Sequence, residues 1–207
     1  MSKPKVYMDS TCFIDMAKQA VGVLPKERDK NIWFCKKLLE AHRDGNLEIS
    51  TAILTVAECQ HADNICDDQV QRLFKSILTS GQFVSLVQDT ILVAERARDL
   101  RWIHKLSFKG ADAIHLASAL EIHCVEFITM DFDHFLSRAQ EIAKLGIHVI
   151  PPHKTTQLPE EYLAGLLPGI SIHAKGEIKK EKIIEIGNKE NTPKAISGTI
   201  DPSTDEG

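Results

Sequence analysis

The chain has 207 residues, is 43% hydrophobic and carries a formal net charge of -4. That suits one domain with a substantial core and excludes a broadly basic protein that grips nucleic acid over its whole surface, although a local basic groove stays compatible with it. Cys12, Cys35, Cys59, Cys66 and Cys124 are an odd number scattered through apolar-periodic segments, which fits reduced thiols in a cytoplasmic protein better than a disulfide framework. No apolar run reaches the length of a membrane span, and Asp9 interrupts the N-terminal segment before a signal core forms.

In chain order, residues 5–8 read as a strand that stops at Asp9 and feeds a helix from about Cys12. Residues 27–43 place Ile32, Phe34, Cys35, Leu38, Leu39 and His42 at helical spacing, with Gly45 as the stop. Residues 47–50 alternate as a second strand, and 53–62 return to helical spacing with Glu58 inside. Asp67 and Asp68 cap a helix carrying Val70, Leu73, Phe74, Ile77 and Leu78 up to Gly81. Residues 83–87 form a short strand, and Asp89 or Thr90 opens a helix reaching Lys105. A further helix carries Ile114, Leu116, Ala117 and Leu120, with Asp112 at its front. Residues 125–130 are a strand ending at Asp131, Asp133 opens a helix that stops at Gly146, and 147–150 are the last strand before Pro151 and Pro152. Strands alternating with helices predict an α/β domain over residues 4–152, built on a parallel sheet with helices on both faces. Residues 153–174 follow as a C-terminal extension with a short helix over 159–167. Residues 175–207 lose their aromatics and read as a polar, disordered tail, with 182–186 as its exception.

Ligands of open parallel sheets gather at the carboxyl ends of the strands. Asp9 and Asp131 end two strands and Asp133 follows the second, while Asp112 and Glu58 can face the same edge from their helices. Each acid has an ordinary role if taken singly: Asp9, Asp112 and Asp133 as helix caps, Glu58 on a solvated face. Gathered together, carboxylates need protons, basic side chains or cations to neutralise them. Oxygen donors suit Mg²⁺ or Mn²⁺, and such a site can activate water and stabilise both oxygens of a phosphodiester displacement.

Four motifs carry a resemblance. They are Val6-Tyr7-Met8-Asp9-Ser10-Thr11, then Ser50-Thr51 followed by Val56-Ala57-Glu58, then Gly110-Ala111-Asp112-Ala113-Ile114-His115-Leu116-Ala117, and finally Phe127-Ile128-Thr129-Met130-Asp131-Phe132-Asp133-His134-Phe135. In order, element type and spacing the chain resembles, over residues 5–151, PIN-domain proteins of the kind found as toxins of prokaryotic VapBC toxin–antitoxin pairs. The resemblance implies a three-layer sandwich around a parallel sheet of four or five strands, and a Mg²⁺-dependent endoribonuclease (Mn²⁺ an alternative). It places Asp9, Glu58, Asp112 and Asp131 on the family's catalytic, metal-holding acids and Asp133 on an additional one. Thr11 and Thr129 fall where small hydroxyls fix the acids, although Asn or Ser is commoner than Thr11. In-line attack by an activated water, leaving a 5′-phosphate and a 3′-hydroxyl, an antitoxin partner and a homodimer are also implied.

His115 fits a packed or hydrogen-bonded histidine better than a metal ligand, and the Cys59, His61 and Cys66 spacing does not match a zinc site. Arg96, Arg98, Arg101, Lys105 and Lys109 form a basic run. Arg98, Arg101 and Lys105 share a helix face, and with Lys109 they are the candidate grip on RNA phosphates, the ordinary alternative being a solvated face. Trp102 and Phe108 are expected in the core rather than stacked on bases. The apolar stripes over 32–39 and 70–78 serve either the core or a partner. A haloacid-dehalogenase-like phosphatase, suggested by Asp131-Phe132-Asp133, is disfavoured because Phe135 stands where that pattern has Thr or Val and the pair should open the domain. A PIN-fold RNA-processing nuclease without an antitoxin and a non-catalytic PIN-like interaction module are the remaining alternatives.

Overall fold

The computed structural model describes residues 3–164 and two short strands beyond them. Asp9 ends β1 (Lys5–Met8) and caps α1 (Ser10–Ala20), accepting from the Thr11 amide. α2 (Asp29–Arg43) ends at Asp44, and Gly45 takes a left-handed φ of +82° that turns the chain into β2 (Glu48–Ala52). α3 (Leu54–Glu58) is short, α4 (Asp68–Phe74) continues into a π-helical turn at Lys75–Thr79, and β3 (Ser85–Val87) follows. α5 (Ile91–Trp102) and α6 (Gly110–Glu121) lead to β4 (Glu126–Ile128), α7 (Ala139–Ala143) and β5 (His148–Ile150).

The five strands of this unit are all parallel in the order β3-β2-β1-β4-β5, with Tyr7 level with both Ser50 and Phe127. Strand alternation feeds two cores. Val6, Met8, Ile49 and Ile128 face α1, α2 and α4, with Phe13, Ile32, Leu38 and Phe74. Tyr7, Phe127 and Val149 face the other side, with Leu100, Leu116, Phe135 and Ile142 from α5, α6 and the chain around α7. The result is helix, sheet, helix, as expected, with the upper strand count. The chain runs from β1 outward through β2 to β3, then returns to the far side of β1 for β4. The switch point lies between β1 and β4, and the edge outside their carboxyl ends is where ligands of open parallel sheets bind.

Several boundaries differ from the sequence expectation. The helix expected over 53–62 stops at Glu58, because the chain must enter a tight turn in which Ala62 pairs with Ile65 and Asp63 and Asn64 take positive φ. α5 ends at Trp102, and Lys105 has φ +59°, so Lys105 does not share a helix face with Arg98 and Arg101. Asp133 opens no helix: a turn occupies that segment, a 3-10 turn at Leu136–Arg138 follows, and α7 begins only at Ala139.

The apolar stripes of α2 and α4 are core. Ile32, Leu38 and Leu39, and Val70, Phe74, Ile77 and Leu78, are buried, which leaves no partner surface on those stripes. After β5 the chain forms 3-10 turns at Pro152–Lys154 and Glu160–Leu163, the second where a short helix was expected. Buried Glu126 holds this segment, accepting from Thr155 Oγ1 and from the Thr156 amide and hydroxyl. Tyr162 donates its hydroxyl hydrogen to Asp44 Oδ2 at 2.8 Å.

The chain divides into compact units at Met1–Leu166 and Leu167–Gly207. In the second, β6 (Ile170–Ile172) and β7 (Ile178–Lys180) pair antiparallel. The rest of the expected tail, including 182–186, lies outside the described residues. Among the described residues no helix is long and apolar enough to cross a membrane.

Candidate active site

The topology brings Asp9 and Asp131 to the same edge of the sheet, because each follows a strand flanking the switch point. Asp9 is 2% exposed. Its Oδ2 accepts from Thr11 Oγ1 at 2.6 Å, Thr129 Oγ1 at 2.9 Å and the Thr11 amide at 3.4 Å. Each threonine also accepts a backbone hydrogen from the β4 exit: Thr11 from Met130 N at 3.1 Å and Thr129 from Asp131 N at 3.0 Å. Both hydroxyl hydrogens are therefore committed to Asp9, and the two oxygens lock the end of β1 to the end of β4. The two expected supporting hydroxyls stand beside the first acid.

Glu58 Oε2 lies 2.7 Å from His115 Nε2. Burial alone would raise the Glu58 carboxyl, but the hydrogen bond and charge of His115, with a bond from Ser10, outweigh it and hold it below its usual range. Burial pulls His115 down, while the bond to Glu58 and the charges of Asp9, Glu58 and Asp112 push it up further. Asp131 accepts from the His134 amide at 2.9 Å through Oδ1 and faces His134 Nδ1 at 2.8 Å through Oδ2. These bonds and the charge of His134 overcome burial and lower the Asp131 carboxyl.

Asp112 differs from the others. It sits in the first turn of α6 but does not cap it, since Lys109 occupies the cap position. Its Oδ2 is buried with no hydrogen-bond partner, and the nearest basic atom, His134 Nδ1, is 3.9 Å away. Burial, together with the charges of Asp131 and Asp9, raises its carboxyl against the pull of His134 and His115. A buried, unpartnered acceptor among other acids is the arrangement in which positive charge is missing.

Among the described residues no three His, Cys, Asp or Glu side chains converge into a ready-made metal cage. The donor set still fits a hard divalent cation: carboxylate oxygens from separate elements, one of them unsatisfied. Asp133 is exposed, and its carbonyl rather than its carboxylate takes a bond, from Ser137 Oγ.

The basic run lies on the surface with local partners. Arg96 pairs with Glu121 at 3.0 Å, Arg98 approaches Glu95 and Asp99, and Lys105 Nζ donates to the Trp102 carbonyl at 2.7 Å. Trp102 is not a core residue: it is 63% exposed, with the Arg98 guanidinium 4.9 Å from its ring. Val93 and Leu100 mark the buried face of α5, and a residue two positions past Leu100 points about 200° away from it. Phe108 packs against Phe135, as a core position should.

Two residues escaped the sequence reading. His134 stands three positions after Asp131, where a turn folds its ring back onto that acid. Tyr7 is legible only as a strand residue of the second core, yet its hydroxyl reaches His115 at 2.7 Å.

The family model of the PIN domain matches residues 20–141, a span that contains Glu58, Asp112, Asp131 and Asp133 and begins after Asp9. The chain belongs to the PIN-domain family, whose members are nucleases. No curated protein sequence matches it. Among solved structures it is similar to VapBC2 from Rickettsia felis bound to a promoter DNA fragment, with 12% identity, a TM-score of 0.50 and coverage of 71% of this chain and 98% of that one. It is also similar to a toxin–antitoxin complex from Klebsiella pneumoniae, with 20% identity, a TM-score of 0.39 and coverage of 71% and 97%. At 12% identity the likeness to VapBC2 is one of fold.

Proposed function

We propose that this PIN-domain chain is a metal-dependent endoribonuclease of the cytoplasm, the toxin of a toxin–antitoxin pair, working as a homodimer. The observation that carries the chemistry is the buried, unpartnered Asp112 Oδ2 at the switch point, in the field of Asp9 and Asp131. Asp9, Glu58, Asp112 and Asp131 would hold Mg²⁺ or Mn²⁺, with Asp133 at the rim. A divalent cation bound there neutralises the acids and stabilises negative charge developing on a phosphodiester.

The chain's own residues do the rest. Thr11 and Thr129 fix Asp9, and His134 fixes Asp131 and can hold a proton at Nδ1 between that acid and Asp112. Arg98, Arg101, Lys105 and Lys109 supply positive charge for RNA phosphates that the net charge lacks. In-line displacement would leave a 5′-phosphate and a 3′-hydroxyl. The antitoxin rests on the four-motif resemblance to VapBC toxins and on the fold shared with VapBC2.

The test pairs cleavage of total RNA in Mg²⁺ with calorimetric titration of Mn²⁺, for wild type and Asp112→Asn. Wild type is expected to bind Mn²⁺ and cleave, and the folded variant to do neither. Cleavage at the wild-type rate by Asp112→Asn sinks the assignment. Co-expression with the neighbouring small reading frame tests the partner: loss of toxicity and co-purification are expected, and free activity in its presence favours a processing nuclease.

A further inference from the structure

Among the partnered acids of the site, Glu58 is held by a residue distant in sequence, His115. It is the last residue of α3, and Cys59 already leaves helical geometry with ψ 66°. A long glutamate side chain there loses considerable rotamer freedom if it is to present a carboxylate in one place. Besides a bond from Ser10 of α1, its support comes from α6 and β1. His115 of α6, 2% exposed, places Nε2 2.7 Å from Glu58 Oε2 and Nδ1 2.7 Å from the hydroxyl of Tyr7 on β1. That hydroxyl in turn accepts from the amide of Ala52, the last residue of β2, at 2.8 Å. The Tyr7 ring is held by a stacked contact with Phe127 of β4, at 4.9 Å and 13°.

Counting hydrogens orders the chain of bonds. The Ala52 amide only donates, so the Tyr7 oxygen accepts there and keeps its own hydrogen for His115. The ring is fully buried, and a buried phenol keeps its hydrogen for a partner rather than leaving an unpaired charge. In the neutral imidazole, Nδ1 then accepts and Nε2 carries the ring hydrogen to Glu58. The opposite tautomer would set the Nε2 lone pair against a carboxylate oxygen at 2.7 Å.

We propose that Tyr7 and His115 are positioning residues of the active site, forming a one-directional hydrogen-bond relay from the β2 backbone to Glu58 that holds this carboxylate ready for a divalent cation. Neither residue touches the cation or the RNA. The proposal rests on the reading of Glu58 as a metal ligand.

The test titrates the metal-free full chain with Mn²⁺ alone, by calorimetry, for wild type, Tyr7→Phe, His115→Ala, His115→Gln and the double variant Tyr7→Phe/His115→Ala. Thermal unfolding of each establishes that folded protein is compared. Mn²⁺ affinity is expected to fall about tenfold or more in Tyr7→Phe and His115→Ala. The double variant should be no weaker than the weaker single one, because one relay is cut twice. His115→Gln, whose amide can still donate to Glu58, should recover part of the loss. Wild-type affinity in folded Tyr7→Phe and His115→Ala, or losses that simply add, overturns the relay.

Nitrogen-15 NMR of His115 in the metal-free protein at pH 9 gives a reading independent of metal. The Nε2-protonated tautomer is expected in wild type. An Nδ1-protonated ring in wild type overturns the proposal. A wild type that binds no Mn²⁺ sinks the functional reading and the relay's purpose with it. A wild type that binds while its relay variants bind equally well sinks the relay alone.

Discussion

Asp112→Asn should make the metal-free protein more stable and the metal-loaded protein less stable than wild type. Asparagine keeps the shape of aspartate, removes a charge whose Oδ2 has no partner, and adds an amide donor beside Asp9 and Asp131. Relief of a buried, unsatisfied charged acceptor is worth about 1–3 kcal/mol. Against it stands the loss of an acidic residue in the first turn of α6, about 0.3–1 kcal/mol of helix-dipole interaction. The net is a gain of about 1 kcal/mol without metal, or roughly 2–4 °C in Tm for a domain of this size. Mn²⁺ at a hundred times its Kd adds about 2.7 kcal/mol to wild type and nothing to a variant that cannot bind, so the ranking inverts. Urea or thermal unfolding in EDTA and in excess Mn²⁺ reads both orders. The pH dependence has a definite sign. Burial and the neighbouring carboxylates raise Asp112 above its ordinary 3.8, so the folded state holds the proton more tightly. Metal-free wild type therefore carries no penalty from this group below 3.8, loses stability as pH rises through the raised value, and stays penalised above it, whereas Asp112→Asn lacks that loss. A variant less stable than wild type in EDTA, or equally stabilised by Mn²⁺, refutes the argument.

Thr129→Val keeps the volume but strips Asp9 Oδ2 of a 2.9 Å donor and the Asp131 amide of its acceptor; denaturant unfolding should show a loss of about 1–3 kcal/mol, and RNA cleavage should fall with it. Glu126→Ala removes the buried acceptor of three hydrogen bonds from Thr155 and Thr156, so limited proteolysis should cut near residues 153–157 much faster while β1–β4 pairing persists. Arg101→Ala should raise KM for RNA with little change in kcat and lower the salt-dependence slope by about one phosphate contact; an unchanged slope marks a merely solvated residue.

Much of this fold is legible because the two periodicities are clean. Val6 and Met8 against Tyr7, and Ile128 against Phe127, report the two faces of a buried sheet, and Ile32, Leu38 and Leu39 report a helix packed on one of them. Ends were read less well where tertiary demands override spacing. Apolar residues run past Glu58, yet the Asp63-Asn64 turn stops α3 early. Trp102 looks like a core residue by type, but its angular position on α5 decides otherwise. Of the site, the acids were legible as residues that end strands or open helices. Their partners were not, because a contact such as Tyr7 with His115 joins positions 108 apart and leaves no mark in local spacing.

The anchors of the acids explain why one of them is left bare. Asp9 is gripped by hydroxyls that belong to the β1 and β4 exits, Glu58 by an imidazole tied to the sheet backbone, and Asp131 by the turn that follows it. Glu58 and Asp131 are thus held down by the hydrogen bonds and charge of a histidine, whereas Asp9 is held by neutral hydroxyls. Asp112 lies on α6, the same helix that delivers His115, and so its distance from Glu58 is set by one rigid element. With no donor on its buried Oδ2, Asp112 meets the charges of Asp131 and Asp9 with only the pull of His134 and His115 against them. A site that needed only structural integrity would have paired this oxygen, as Glu126 is paired three times over a short distance away in sequence from Asp131. Under the proposed function, holding three acids and leaving the fourth unsatisfied would cost stability without metal and return it on cation binding, which is the inversion that the Asp112→Asn measurement reads.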